Sequence, residues 1–269
     1  MYTARATIQQ IQKLETKYKG FYIDWAQKGS ATGYDVEYSV NANMSGAVSK
    51  HLTANKPDTL TVSGLSGDKT YYVRVRSYTN VNGKVYYGAW SDVKSIKTAN
   101  NDITKATVSG IFTKAFTGKA ITQNVTVKVG NTVLKNGTDY TVSYSNNKKV
   151  GKATVKITGK GKYGGVITKT FKINPAKQQI QKLTAKSKAF FVDWAQKGSA
   201  TGYEIQYATN SKFTGAKKVT ITNNKTDKTT VSKLSGNKKY YVRVRSYTTV
   251  GGTKYYGSWS AVKNVTTKK

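Results

Sequence analysis

The sequence predicts an all-β chain: three tandem antiparallel β-sandwich domains, at residues 1–100, 101–175 and 176–269, in an elongated arrangement. Three observations predict it. Residues 9–98 recur at 178–267 without a gap and with about 60% identity, so one unit is duplicated around a different middle segment. Apolar and polar residues alternate with period two, the mark of antiparallel strands with one buried face. The chain holds 2 prolines and many short runs rich in Val, Ile, Thr and Tyr, which favour strands over helices.

The elements follow in order. GFYIDWAQ places Phe21, Ile23 and Trp25 on one face, with Tyr22 and Asp24 on the other. GYDVEYS turns Tyr34, Val36 and Tyr38 inward and Asp35 and Glu37 outward. YYVRVRSY turns Tyr71, Val73, Val75 and Ser77 inward, leaving Tyr72, Arg74, Arg76 and Tyr78 outward. Asn82-Gly83 reads as a two-residue hairpin turn, and Gly251-Gly252 takes its place in the second copy. QQIQKL, DWAQKGSATGY, YYVRVRSYT and YYG-x-WS return letter for letter in that copy. Asp35 and Glu37 lie on the strand expected beside Arg74 and Arg76, so cross-strand ion pairs are predicted, each contributing a few tenths of a kcal/mol. The second copy keeps Glu204 facing Arg243 and Arg245 but has Gln206 in place of the second acid.

An early-strand Trp, a GY-x-V-x-Y strand, Leu65-Ser66-Gly67 ahead of Tyr71, and the VRVRSY run together resemble a fibronectin type III domain. The matching positions in the second copy are Trp194, Tyr203, Leu234, Gly236 and Tyr240. The resemblance implies that the Leu packs under the turn and that the Tyr hydroxyl bonds back to the backbone at a tyrosine corner. The run YYVRVRSY-TxVxGxxYYGxWS is similar to repeats near the C-termini of clostridial surface proteins. The middle segment lacks both the Trp and the VRVRSY strand. Its FTGK-x-I, GTDYTVSYSNN and ATVKITGKGKYGG stretches resemble a bacterial immunoglobulin-like module of Firmicute surface proteins, with Gln123 where that pattern suggests a proline. TANNDIT at 98–104 and Pro175 mark its entry and exit. Such short junctions predict a semi-rigid rod about 100 Å long.

Composition narrows the chemistry. There is no cysteine, which excludes disulfides, thiolate zinc sites and a cysteine nucleophile. No run of apolar residues is long enough for a transmembrane helix, so membrane insertion is not expected. MYTARATIQQ carries no signal-peptide pattern; we expect a piece of a longer bacterial protein that is secreted or held at the cell surface. Basic residues number 45 against 12 acidic, a net charge of +33. The excess is graded: 13 against 7 in residues 1–100, 13 against 2 in 101–175, and 19 against 3 in 176–269. Arginines are few (Arg5, Arg74, Arg76, Arg243, Arg245), and lysine is a hydrated point charge without the planar fork used to read bases. The lysine load at 148–172 and 212–239 therefore predicts diffuse adhesion to polyanions and no sequence-specific nucleic-acid reading.

Candidate sites are sparse. His51 is the single histidine, and Thr220 stands at its place in the second copy, so no metal, cofactor or catalytic constellation is expected. The tyrosines and tryptophans offer candidate ligand contacts: Tyr72, Tyr78, Tyr87 and Trp90, repeated as Tyr241, Tyr247, Tyr256 and Trp259. With Tyr86 and Tyr255 these gather near one sheet face and hairpin, where exposed rings can stack on sugars. The competing reading folds Tyr86, Trp90 and their counterparts inward as plugs of the sandwich. A bulge at YYG-x-WS would re-aim the rings. Two functions follow as expectations. One is a non-catalytic adhesive or spacer region retained on anionic cell-wall polymers, such as teichoic acid, or on host glycans, with a protein partner as a further candidate. The other is a carbohydrate-binding accessory region of a secreted hydrolase, acting through its aromatic faces on host or plant glycans.

Overall fold

The computed structural model describes residues 8–269; the first seven, including Arg5 and the start of the first expected domain, lie outside the described residues. The secondary structure is almost all strand, with one 3-10 turn at Ile103–Lys105. The chain divides into two compact units. The first runs to Ser109 and adds Thr126–Ser143 and Lys156–Thr168. The second comprises Gly110–Val125, Tyr144–Val155 and Lys169–Lys269. Parts of the 101–175 segment fall in each.

In the first unit, a three-stranded sheet (Ile11–Lys17, Gly20–Trp25, Thr59–Val62) packs on a five-stranded one. The larger sheet runs Val48–Leu52, Gly33–Ser39, Thr70–Val81 and Lys84–Tyr87, and Lys94–Lys97 also pairs with Thr70–Val81. Every pairing in these two sheets is antiparallel. The predicted alternation accounts for the core: Phe21, Ile23 and Trp25 from one sheet meet Tyr34, Val36, Val73 and Val75 from the other, all fully buried. Trp25 and Tyr34 meet edge to face, with centroids 5.3 Å apart, the arrangement that the ring quadrupoles favour. Leu65 packs against this core, and the Tyr71 hydroxyl accepts from Ser66 N at 3.3 Å. The expected tyrosine corner is present.

The second unit repeats the pattern. Ile180–Lys186, Ala189–Trp194 and Lys228–Val231 form the small sheet. Lys217–Ile221, Gly202–Ala208, Lys239–Val250, Thr253–Tyr256 and Lys263–Thr266 form the large one. Phe190, Val192, Trp194, Tyr203, Ile205, Val242 and Val244 fill the core, and Tyr240 Oη accepts from Ser235 N at 3.3 Å. Both hairpin tips carry two residues at positive φ, Asn82 (49°) with Gly83 (85°) and Gly251 (53°) with Gly252 (77°), as the primed turns of right-twisted hairpins require.

The middle segment forms a three-stranded sheet (Thr107–Ser109, Thr126–Val129, Thr132–Val133) and a four-stranded one ordered Lys114–Ala115, Val166–Asn174, Gly151–Gly159, Tyr140–Ser145. Lys114–Ala115 runs parallel to its neighbour, a departure from the wholly antiparallel expectation.

The stretch after the first repeat is a built joint. Asn101–Asp102 pairs in parallel with Tyr163–Gly164, the Asp102 carboxylate accepts from Thr104 N at 2.9 Å, and Ile103 is fully buried. Gly164 approaches the backbone at Tyr18 so closely that a Cβ there would lie 2.3 Å from Tyr18 N. Only glycine fits, because the obstacle is main chain and cannot rotate away. Gly164→Ala is therefore expected to lower stability by about 1–3 kcal/mol, the usual cost of forced overpacking. A denaturant titration checks this; an unchanged midpoint would contradict the close approach.

Candidate functional site

The outward face of each large sheet is built from its strand register. Gly33–Ser39 and Thr70–Val81 align so that Asp35 opposes Arg76 and Glu37 opposes Arg74. Directly opposed side chains on an antiparallel pair lie close enough to bond. Nε and Nη2 of Arg74 donate to Glu37 Oε2 at 2.9 and 2.7 Å, and Arg76 Nε donates to Asp35 Oδ2 at 2.9 Å. The predicted ion pairs are present, and Asp35 is more enclosed than its outward position implied, at 5% exposure. His51 explains part of that cover: its Nδ1 lies 2.6 Å from the second Asp35 oxygen.

Aromatic side chains complete the layer. The strand Lys84–Tyr87 ends its pairing at Tyr87, and the Ser91 side chain then takes the Val75 amide. Its hydroxyl accepts from Val75 N at 3.1 Å and donates to Asp92 O at 3.0 Å. This break is the end of a strand and not the bulge expected there. It carries Trp90 across both guanidinium groups, its ring centroid 4.4 Å from Cζ of Arg74 and of Arg76. Tyr87 contacts Arg76 in turn at 3.8 Å. The result is a ladder of contacts, Tyr87–Arg76–Trp90–Arg74. Trp90 is neither a free platform nor an inward plug.

The second repeat builds the same ladder and extends it. Ser260 takes the place of Ser91. Tyr256 and Trp259 lie 4.0 and 4.3 Å from Arg245, and Trp259 lies 4.7 Å from Arg243. Phe213, held at a φ of +58°, adds a further rung 4.1 Å from Arg243. Arg243 thereby gains a ring where its carboxylate is missing, since Gln206 offers only an amide oxygen, 2.8 Å from Arg243 Nε. Cation–π contacts of this kind contribute about 0.5–2 kcal/mol each. Burial, then the neighbouring Arg245 charge, lowers the Arg243 pKa from its ordinary value.

Tyr78 and Tyr247 correct the sequence reading. Both were expected to be exposed ligand contacts, and they are 5% and 2% exposed. The reason is the residue opposite. Gly33 pairs with Tyr78 and Gly202 with Tyr247, so each ring lies flat over a position that has no side chain. A Cβ on Gly33 would come within 2.6 Å of the Tyr78 hydroxyl. The same hydroxyl donates to Leu52 O at 3.2 Å, and His51 stacks on the ring with centroids 4.6 Å apart. Tyr72 and Tyr241 are half-buried, the latter under the Lys239 ammonium at 5.4 Å. Tyr86 and Tyr87 stand about half exposed. The aromatic set is thus largely committed to its own sheet. The sequence held a signal for this, RVR and YYG-x-WS recurring together at one spacing, but the ladder itself went unread.

Among the described residues, no group of three or more His, Asp or Glu side chains is placed to hold a metal, and no helix is long and apolar enough to cross a membrane. The lysines of 148–172 and 212–239 are exposed throughout.

Glu204 is the most enclosed acid of the second repeat, at 2% exposure. Burial pushes its pKa up, but hydrogen bonds from Lys218 and Arg245, with their charges, outweigh it and hold the carboxyl below its ordinary value. A depressed pKa stabilises the fold above the unfolded value, about 4.3, and that stabilisation is lost as the pH falls through the lower folded value. Glu204→Gln should therefore melt below wild type at neutral pH, with the gap closing under acid. Thermal melts from pH 7 down to about 2.5 check it; a gap that widens as the pH falls would contradict the assignment.

Residues 174–262 match the fibronectin type III domain family. The crystal structure of the chicken CNTN1 FN1-FN3 domains aligns with 97% of this chain and 98% of that chain, at 16% identity and a TM-score of 0.32. No curated protein matches the chain. The molecule is an all-β protein of antiparallel sandwich sheets, and its second repeat is similar in sequence to fibronectin type III domains.

Proposed function

We propose that the chain is a non-catalytic adhesive or spacer region of a bacterial cell-surface or secreted protein, retained on anionic polymers by its lysines. In this reading the first repeat is a second fibronectin type III copy, because it builds the same sheets and ladder, and 101–175 is an immunoglobulin-like module between the copies. The observation that carries the proposal is the charge that the fold leaves unused. The ion pairs found among the described residues engage Glu15, Asp35, Glu37, Asp68 and Glu204. All five arginines but Arg5 are absorbed by the ladders. A surplus of 33 positive charges remains, carried mainly by exposed lysines with no carboxylate to satisfy them. Solubility alone does not call for such a surplus, since Asp and Glu serve it at least as well. The same ladders argue against the accessory carbohydrate-binding reading, because most of the rings it needs are occupied.

Diffuse charge attraction has a definite signature. At about 0.5 M NaCl the screening length is only a few ångströms, so point-charge retention collapses. The purified chain is expected to sediment with Gram-positive cell walls at low salt, to need teichoic acid for it, and to be released by about 0.5 M NaCl. Retention that ignores salt, or that is equal on walls stripped of teichoic acid, would overturn the proposal.

A further inference from the structure

A cleft of about 640 Å³ opens within the second compact unit, between the turn that follows Tyr144 and the tip of the 250–255 hairpin. Its volume falls in the range of small-ligand sites, about 300–1,000 Å³. One wall is fixed by hydrogen bonds. The Tyr144 hydroxyl donates to Gln123 O at 2.7 Å and accepts from Gln123 N at 3.0 Å. Asn147 Nδ2 donates to Ile121 O at 2.9 Å, and Ile121 N returns a bond to Asn147 O at 2.9 Å. Gly151, at a φ of +139°, turns the chain back into its strand. The opposite wall is Val250 and Tyr255. A neighbouring recess of about 340 Å³ shares Lys152 and Tyr255 and adds Lys172.

The charge of this cleft is one-sided. Lys148, Lys149 and Lys152 line it, and all three are exposed. No Asp or Glu lines either recess, and the sequence contains none between Asp139 and Asp193 or beyond Asp227. Concave walls of low dielectric strengthen the field of such a cluster. Ring faces and lysine stems supply apolar surface beside it. The first repeat supplies a contrast: Val81 and Tyr86, equivalent to Val250 and Tyr255, stand 51% and 52% exposed, while Tyr255 is half-buried in the cleft.

We propose that this cleft binds a charged sugar or polyol unit of an anionic polymer, with the three ammonium groups on its anionic substituents and Tyr255 against its carbon skeleton. The inference rests on the polyanion reading above and adds to it one saturable site within a diffuse surface. The test uses the full chain and fluorescent hexamers of galacturonate and of glycerol phosphate, with maltohexaose as the neutral control. Lys148, Lys149 and Lys152, all changed to Gln, should weaken anionic-hexamer binding about tenfold or more. The same loss of charge at Lys182, Lys212 and Lys225 should weaken it by less than about threefold. Tyr255→Ala should weaken it severalfold at constant charge and with an unchanged melting temperature. Preference between the two anionic hexamers identifies the source of the charge. Equal losses from both triple variants, or maltohexaose bound as well as the charged hexamers, would overturn the cleft and leave diffuse retention standing. No binding of either anionic hexamer by the wild-type chain would overturn both.

Discussion

The register between Gly33–Ser39 and Thr70–Val81, and its copy between Gly202–Ala208 and Lys239–Val250, is the constraint on which the rest of each repeat depends. One slip of a single residue would turn every inward side chain to the outer face. Held in place, it sends Val36, Tyr38, Val73 and Val75 into the core. It also sets Asp35 against Arg76, Glu37 against Arg74 and Gly33 against Tyr78 on the other side. The ion pairs fix the guanidinium groups, and the fixed guanidinium groups give Trp90 and Tyr87 something to lie on. Core and ladder are two consequences of one alignment.

That coupling separates two populations of positive charge. The four described ladder arginines are enclosed, bonded to acids or an amide, and covered by rings; a delocalised planar cation suits such a place because it is weakly hydrated. The lysines remain outside, hydrated and mostly unpaired. The residue types are thus divided by what each environment demands, and only the second population is free to meet a partner. Where a fixed turn and a hairpin gather three lysines around Tyr144 and Tyr255, the free charge acquires shape.

Much of this was legible in the sequence, and the limits have physical causes. Period-two alternation located the principal strands of both repeats, Asn82-Gly83 located a hairpin tip, and Leu65 with Tyr71 located the tyrosine corner, since each is a local pattern with one structural solution. The opposed Asp35 and Arg76 were legible because register follows from the buried face. Tyr78 misled because alternation reports which way a side chain points and says nothing of what covers it; the decisive residue, Gly33, lies 45 positions earlier. The aromatic ladder escaped for a related reason. Trp90 reaches its arginines only because the strand ends at Tyr87, and irregular backbone has no periodic signature. The parallel pairing of Lys114–Ala115 rests on two residues, too short a run for any pattern.

The ladders belong to the fold, and binding is proposed for the unpaired lysines. The most direct measurement compares two variants of the full chain for melting temperature and for retention on a glycerol phosphate polymer. One changes Trp90 and Trp259 to Ala; the other changes the exposed Lys148, Lys149, Lys152, Lys212, Lys217 and Lys225 to Gln and leaves Lys218 on Glu204. The tryptophan variant is expected to melt lower and bind as wild type, while the lysine variant melts as wild type and is released at clearly lower salt than wild type. A tryptophan variant that melts normally yet loses retention, beside a lysine variant released at the same salt as wild type, would contradict this division.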